Sequence, residues 1–503
     1  MIFRDWLKEL DYTLLQGSVD VETEDVIYDS RKAAPGKVFV AMKGIRVDGH
    51  SFIPQVLKAG VRVLVTERPV EEELKNSGLS EDELKQVTVV MVEEGRHALA
   101  LLSAARFDHP AKKLVMIGVT GTKGKTTTTH MIRAILLAAG KKVGMIGTTG
   151  TVIGDVVTPT LNTTPESYEL HQAFAQMVEA GCEYAVMEVS SQGIKMHRTD
   201  GLYFNYAIFT NISPDHIGPG EHADFEEYLY YKTRLLNMCG IGLVNKDDEH
   251  APQIIKAANC ELYTYSEESK EADFVASDIR YVSQPDFVGT EFHISGKYDM
   301  EVRLGIPGLF NVVNALAAVS VCSFLGLDQA RISHALENIR VNGRMEIVYT
   351  SERCTVLVDY AHNAVSMESL LSTLRDYKPK RLVCVFGCGG NRSKDRRYSM
   401  GEIGGKMADL SIITADNSRY EKVEDIIADI RGSIEKTGGK FIEIPDRREA
   451  IRYSILHAQP GDMVAVIGKG HEDYQEINGV RHHFLDREVI EEAVRELREK
   501  EQG

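Results

Sequence analysis

The chain has 503 residues, too many for one hydrophobic core, so about three domains of roughly 100 to 200 residues are expected. Hydrophobic residues make up 43% and charged residues 26%, the balance of an ordinary soluble globular protein. The net charge of -16, from 74 acidic and 58 basic residues, argues against a nucleic-acid partner with its basic stripe, yet a local cluster such as Lys394-Asp395-Arg396-Arg397 can bind anionic small molecules whatever the total.

The opening MIFRDWLKEL lacks the apolar core of a signal peptide, and no run of about 18 apolar residues occurs, so a cytoplasmic protein without membrane insertion is expected. Next come β-like runs at 38–42 and 61–65, turn signals at Pro35-Gly36 and Asp48-Gly49, and a charged stretch from Glu67 to Lys85. These read as a small N-terminal α/β domain over 1–98. From Leu114 the texture changes to apolar strands without alternation, LVMIGVT, KVGMIGT, YAVMEVS, YAIFTNIS and IGLVNKD, each followed by a helix-patterned segment. That pattern predicts a parallel sheet covered on both faces, in a central domain over 99–345.

Between about Thr264 and Pro307 the segments GTEFHIS and EVRLGI predict antiparallel strands, and helices follow from Phe310 to Gly326 and from Asp328 to Asn338. A second α/β series over 346–503 runs through TVLVDYAH, RLVCVFGCGG, LSIITADN, KFIEIPD and DMVAVIGKG. The seven cysteines are scattered and form no C-x-x-C pair, which predicts free thiols acting as small hydrophobes.

The stretch MIGVTGTKGKTTTTH joins a predicted strand to a helix that Gly140 ends. It departs from the standard G-x-x-x-x-G-K-[ST] loop, because Val119 holds the first glycine position. Its setting at a helix N-terminus still predicts an anion site, with Gly121 and Gly124 admitting phosphate oxygens to the backbone. Lys125 supplies a point charge, and the Thr126 hydroxyl can reach a magnesium ion. Glu188 and His216 follow the ends of predicted strands, on the side where ligands of doubly wound sheets lie. In FEEYLYYKTRLL, the spacing of Phe225, Leu229, Lys232 and Leu236 places Lys232 on the apolar face of a helix, where a lysine either loses its proton readily or snorkels to the edge.

The pattern TGTKGKTTT resembles the ATP-binding motif of the Mur ligases and folylpolyglutamate synthetases, and further segments single out the Mur ligase family. The resemblance implies three α/β domains: an N-terminal UDP-binding domain, a central P-loop ATPase domain with a parallel sheet, and a Rossmann-like C-terminal domain for the amino acid. It implies ATP contacts at Gly121, Thr122, Lys123, Gly124, Lys125, Thr126 and Thr127. Asn311 and Asn314 in FNVVNALAA, Arg344 in NGRME, and Asp359 and His362 in DYAHN match the nucleotide-side positions. DSRKAAPGKVFVAMKGIRVDGHSFI, NTTP and VSSQGIKMHR imply contacts of Ser30, Thr163, Thr164, Ser190 and Arg198 with the UDP-substrate. GCGGNR, DNSR and GKGHEDYQ imply an amino-acid pocket of Arg392, Asp416, Asn417, Ser418, Arg419, Gly468 and Glu472.

By the same resemblance, Lys232 is carbamylated to N6-carboxylysine and holds Mg2+ together with Thr126, Glu188 and His216, with Lys125 completing the catalytic set. The implied activity is an ATP-dependent ligase that adds the third amino acid, meso-diaminopimelate, to UDP-N-acetylmuramoyl-L-Ala-D-Glu through an acyl phosphate in peptidoglycan synthesis. Its partners would be small molecules, and a monomer is expected. The choice of diaminopimelate rests on Arg419 gripping a distal carboxylate; the alternative there is a surface arginine beside Glu421 and Glu424. Gln192, Asn391 and Ser418 stand where the family has histidine, aspartate and proline. Two alternatives remain open: ligation of L-lysine or another amino acid, and a nucleotide-binding paralogue without catalysis.

Overall fold

The computed structural model describes residues 1–44 and 47–502, so Ile45 and Arg46 of the DSRK stretch lie outside the described residues. The chain divides into two compact units, Met1–Tyr265 with Ser320–Leu325, and Ser266–Val319 with Gly326–Gly503.

The first unit carries two sheets. Strands β1 (Thr13–Gln16), β2 (Asp25–Ile27), β3 (Lys37–Val40), β4 (Val63–Thr66) and β5 (Thr88–Met91) are ordered β1-β5-β4-β3-β2, with only β1 antiparallel. The helix Gly95–Arg106 buries Ala98, Leu99, Leu101 and Leu102 in the same core as Val26, Val38 and Val65. The charged stretch after β4 forms two short helices, Glu71–Lys75 and Glu81–Leu84.

The larger sheet of this unit contains β6 (Val115–Thr120), β7 (Val143–Gly147), β8 (Gly150–Ile153), β9 (Val156–Thr158), β10 (Tyr184–Glu188), β11 (Phe204–Phe209), β12 (Cys239–Asn245) and β13 (Glu261–Ser266). Their order is β13-β12-β11-β6-β10-β7-β8-β9, parallel from β13 to β7. Valine, isoleucine and methionine fill these strands because helices cover both faces, and β10 is buried along its whole length. Strand β6 lies between β10 and β11, so the loop that leaves it opens at the point where chain order reverses. One expectation is corrected: KVGMIGT is followed by the antiparallel β8 and β9, because Gly150 at φ 107 turns the chain straight back.

In the second unit β14 (Phe274–Gln284), β15 (Phe287–Gly296) and β16 (Met300–Leu304) form an antiparallel meander. The sequence reading found the last two; β14 was missed because most of its outer half is polar and exposed, and a bulge breaks its period between Ser277 and Arg280. Helices Leu309–Phe324 and Gln329–Glu337 follow as expected. The C-terminal sheet joins β17 (Glu346–Thr350), β18 (Cys354–Asp359), β19 (Arg381–Phe386), β20 (Leu410–Ile413), β21 (Phe441–Glu443) and β22 (Asp462–Ile467) in the order β17-β18-β22-β19-β20-β21, with only β17 antiparallel. A hairpin of β23 (Tyr474–Ile477) and β24 (Val480–His483) stands apart from it. The fully buried pair of Arg447 and Asp486, 2.7 Å apart, ties the helix Arg447–Leu456 to the start of the C-terminal helix.

All seven cysteines are free thiols, five of them buried. Among the described residues no helix is long and apolar enough to cross a membrane.

Candidate active site

In the first unit the site grows from the loop between β6 and the helix Lys125–Ala138. Gly121 at φ 146 and Gly124 at φ 85 adopt backbone conformations that favour glycine. The loop is pinned from the end of β11: Thr122 N donates to Asn211 O at 2.9 Å, Lys123 N to Asn211 Oδ1 at 2.9 Å, and Thr210 Oγ1 to Lys123 O at 2.6 Å. A Cβ on Gly121 would collide with Thr210 Oγ1. Gly121→Ala is therefore expected to destabilise this unit by about 1–3 kcal/mol, read as a fall in melting temperature. An unchanged melting curve would show that the loop accommodates the methyl group.

Two lysines share one carbonyl. Lys125 Nζ and Lys232 Nζ each donate to Gly121 O at 2.8 Å. Lys232 projects from the helix Phe225–Thr233 and is only 2% exposed, so the apolar-face reading holds and the side chain does not reach solvent. Burial, with the neighbouring Lys125 ammonium adding to it, pulls the Lys232 pKa well below the usual lysine value. Beneath it lies Tyr228, whose ring centroid is 4.6 Å from Lys232 Nζ and whose hydroxyl is 3.1 Å from Thr122 Oγ1. The predicted helix was longer: the chain tightens into a 3-10 turn at Arg234–Asn237, so Leu236 lies beyond the α-helix.

Glu188, at the end of β10, is 1% exposed. Both its oxygens lie 3.0 Å from Thr126 Oγ1, and it also accepts from Thr148 N at 2.9 Å and Thr148 Oγ1 at 3.2 Å. These partners are all neutral, which leaves an anionic centre facing the loop.

Of the residues expected to contact the UDP-substrate, Thr163, Thr164, Ser190 and Arg198 lie around this centre. Thr163 Oγ1 is 3.2 Å from Thr148 Oγ1; Thr164 Oγ1 donates to Glu188 O at 3.0 Å and accepts from Ser190 N at 2.9 Å. Arg198 donates to Thr164 O at 3.0 Å and pairs with Glu166 at 2.7 Å. Ser30 is not brought into this network and opens a separate 3-10 turn, capped by Asp29. His216 is likewise apart from Glu188: it is 57% exposed at φ 53, with Nδ1 3.1 Å from Glu221, and only the flank of Tyr228, at 6.1 Å between ring centroids, links it to Lys232. Thr127 is buried in the first turn of the loop helix.

The second unit holds the remaining residues, most of them linked by contacts. Asn314 Nδ2 donates to Asn311 Oδ1 at 3.3 Å, Asn311 lies 3.8 Å from Met345 Sδ, and Met345 N donates to Asp359 Oδ2 at 2.8 Å. Burial raises the Asp359 pKa. Arg344 sits over the Tyr360 ring at 5.0 Å, and His362 Nδ1 is 2.9 Å from Tyr360 O. Gly468 N then donates to Asp359 O at 3.2 Å, joining the residues expected on the nucleotide side to those expected at the amino acid.

In that set Asn417 Nδ2 donates to Glu472 Oε2 at 2.9 Å, and Asn417 N to Asp416 Oδ1 at 2.6 Å. Arg419 holds φ 51, pinned by its N–H on Glu476 O at 2.9 Å and by Asn478 N on its own carbonyl at 2.6 Å. Its Nη1 donates to Gly390 O at 2.7 Å, and its Nε is 3.6 Å from Glu476 Oε2. The side chain is 24% exposed, and Glu421 is engaged by Arg397 and Asn391 instead, so the reading of a surface arginine beside Glu421 does not describe it. Ser418 is buried, and Arg392 is exposed, outside the hydrogen-bonded group.

Several residues escaped the sequence reading. Thr148 lies in a plain turn 40 residues from its partner Glu188. Lys469 is fully buried, within 3.4 Å of Asn417 Oδ1 and 3.3 Å of Glu472 Oε2; its place inside GKGHE was the available signal. The basic cluster at 394–397 is corrected: Arg397 is buried against Glu421 and Asp429, and Lys394 also pairs with Asp429, so neither is a free anion contact.

Three family models match the chain: "Mur ligase family, catalytic domain" over residues 23–107, "Mur ligase middle domain" over 119–322, and "Mur ligase, glutamate ligase domain" over 343–470. A UDP-N-acetylmuramoyl-L-alanyl-D-glutamate–2,6-diaminopimelate ligase of Caldanaerobacter subterraneus subsp. tengcongensis is 39% identical, over 98% of each chain. The enzyme of that name from Clostridium perfringens is 38% identical over 97% of this chain and 99% of its own. A solved structure of an enzyme with that name superposes with a TM-score of 0.72 at 30% identity, covering 95% of each chain.

Proposed function

The chain belongs to the Mur ligase family, and from that premise we propose that it joins meso-diaminopimelate to UDP-N-acetylmuramoyl-L-Ala-D-Glu as the third residue of a peptidoglycan precursor. It is an ATP-dependent ligase that forms an amide bond. The observation that carries the choice of amino acid is the pinned Arg419 beside the Asn417–Glu472 pair, a cation and a carboxylate that suit the charged distal end of a diamino acid. Residues 1–98, 99–345 and 346–503 are assigned to the UDP-substrate, ATP and amino acid respectively. Ser30, Thr163, Thr164, Ser190 and Arg198 are assigned to the UDP-substrate, Asn311, Asn314, Arg344, Asp359 and His362 to the nucleotide, and Arg392, Asp416, Ser418 and Gly468 to the amino acid.

The reaction opens with transfer of the ATP γ-phosphoryl group to the side-chain carboxylate of D-glutamate. Loop N–H groups and Lys125 hold the phosphates in line and take up charge that spreads over the transferring group. The acyl phosphate is then attacked by the amine of the incoming amino acid, the C–O bond to phosphate breaks, and phosphate leaves. Positioning carries most of the rate, and no covalent enzyme nucleophile is needed.

The donor set at Glu188 fits a hard cation: a buried carboxylate hydrogen-bonded by the neutral Thr126 and Thr148. We assign Mg2+ to Thr126, Glu188 and a carbamate of Lys232, with His216, which stands apart from Glu188 here, as the further ligand that the family resemblance implies; bound there, it would supply electrostatic stabilisation of the transferring phosphoryl group. As a neutral amine, Lys232 attacks carbon dioxide, forms an N–C bond and releases a proton. That replaces a neutral amine beside Lys125 with an anion attracted to it.

Phosphate release from purified protein, ATP and UDP-N-acetylmuramoyl-L-Ala-D-Glu, with each candidate amino acid in turn, tests the reading. Turnover is expected to be fastest with meso-diaminopimelate. Faster turnover with L-lysine would replace the acceptor, and no turnover with any amino acid would favour a paralogue without catalysis.

A further inference from the structure

At the turn that carries Arg198, two imidazoles and a carboxylate given no role above converge from separate stretches of the first unit. His97 lies in the first turn of the helix Gly95–Arg106, while His197 and Asp200 lie in the turn after the short helix Ser191–Lys195. His97 Nδ1 is 2.6 Å and His197 Nδ1 2.8 Å from the same Asp200 Oδ2, and one ligand atom from each residue lies within 4.8 Å of the others. Among the described residues this is the only such group of three or more histidine, cysteine, aspartate or glutamate side chains.

We infer that His97, His197 and Asp200 form a binding site for a divalent transition-metal ion of the zinc class. Two nitrogens and one carboxylate oxygen suit zinc and its neighbours, whereas magnesium and calcium prefer oxygen donors, so the ion differs in class from the one assigned to Glu188. Bonds of about 2.0–2.2 Å set tetrahedral ligand atoms roughly 3.3–3.6 Å apart, so opening the present spacing takes displacements of under about 1 Å. All three side chains are partly exposed, which allows that movement and leaves the fourth coordination position to water.

The site is also held in shape. His197 sits at φ 56, a conformation that an ordinary residue keeps only when its surroundings impose it. Glu94 caps the helix by accepting from His97 N at 2.7 Å, and its charge acts on both imidazoles.

An ion here would clasp the helix that covers the N-terminal sheet to the turn that carries Arg198. Those two stretches already meet through Glu166, which pairs with Arg198 at 2.7 Å and with Arg96 at 3.4 Å. Occupancy should therefore stabilise the first unit against heat as well as bind metal.

The test is calorimetric titration of zinc chloride into chelator-treated full-length protein at about pH 8, with excess magnesium present. Cobalt absorption in the visible reports the ligand geometry. Wild type and Glu188→Gln are expected to take up one equivalent of zinc and to melt at a higher temperature with it. His97→Gln, which retains a side-chain donor for Asp200, and Asp200→Asn are expected to bind at least ~10-fold more weakly and to lose the thermal shift. Equal affinity in wild type and His97→Gln, or no zinc uptake by wild type, would overturn the site and leave a clasp bridged by protons alone.

Discussion

Lys232→Ala is expected to lower kcat by about 10³-fold or more, with part of the activity restored by acetate or formate. The argument rests on three facts of position. The side chain is 2% exposed, its Nζ lies on the same Gly121 carbonyl as Lys125 Nζ, and burial depresses its pKa. A buried lysine held beside another lysine gives up its proton and offers the site no charge, whereas its carbamate would supply an anion. A small carboxylate diffusing into the space left by alanine mimics that anion. Melting curves of Lys232→Ala and Lys232→Met separate a lost ligand from a lost fold, because methionine preserves the packing. Ligation at the wild-type rate in a folded Lys232→Ala protein would remove the carbamate from the mechanism.

The second large effect is expected at Arg419. Arg419→Ala should reduce kcat/KM for meso-diaminopimelate by about 10⁴-fold, roughly 5.5 kcal/mol, and narrow its advantage over L-lysine. With the β23 hairpin pinning its backbone on both sides and Gly390 O fixing Nη1, the guanidinium pays little further ordering entropy when it grips a carboxylate through its remaining donors. Arg419→Lys should recover only a small part of the loss, since an ammonium cannot make the two parallel bonds. Steady-state kinetics with both amino acids decide this, and an unchanged preference in Arg419→Ala would move the selectivity elsewhere.

Much of the site could be read from local pattern. The loop at 121–126, Glu188 and the burial of Lys232 followed from apolar strands, a helix start and a four-three-four spacing, all signals carried within about ten residues. What escaped was set by partners far along the chain. Thr148 completes the Glu188 shell across 40 residues, and Lys469 and Arg397 look like surface charges until Glu472, Glu421 and Asp429 close around them. Strand β14 went unseen because its polar face carries no apolar rhythm, and the hairpin after β7 because a glycine turn looks like any other before its φ is known.

By itself, then, the sequence determined the α/β class, the glycine loop at a helix start and the order of the motifs, because strand composition, helix periodicity and the residues at helix starts are local properties of the chain. Only the tertiary structure decided which charges are buried and what each faces. It placed two lysines on one carbonyl, left His216 exposed, turned a basic cluster inward, and drew His97 to Asp200 across 103 residues. The physical reason is that desolvation and Coulomb energy depend on distances through space, which the linear order of residues does not specify.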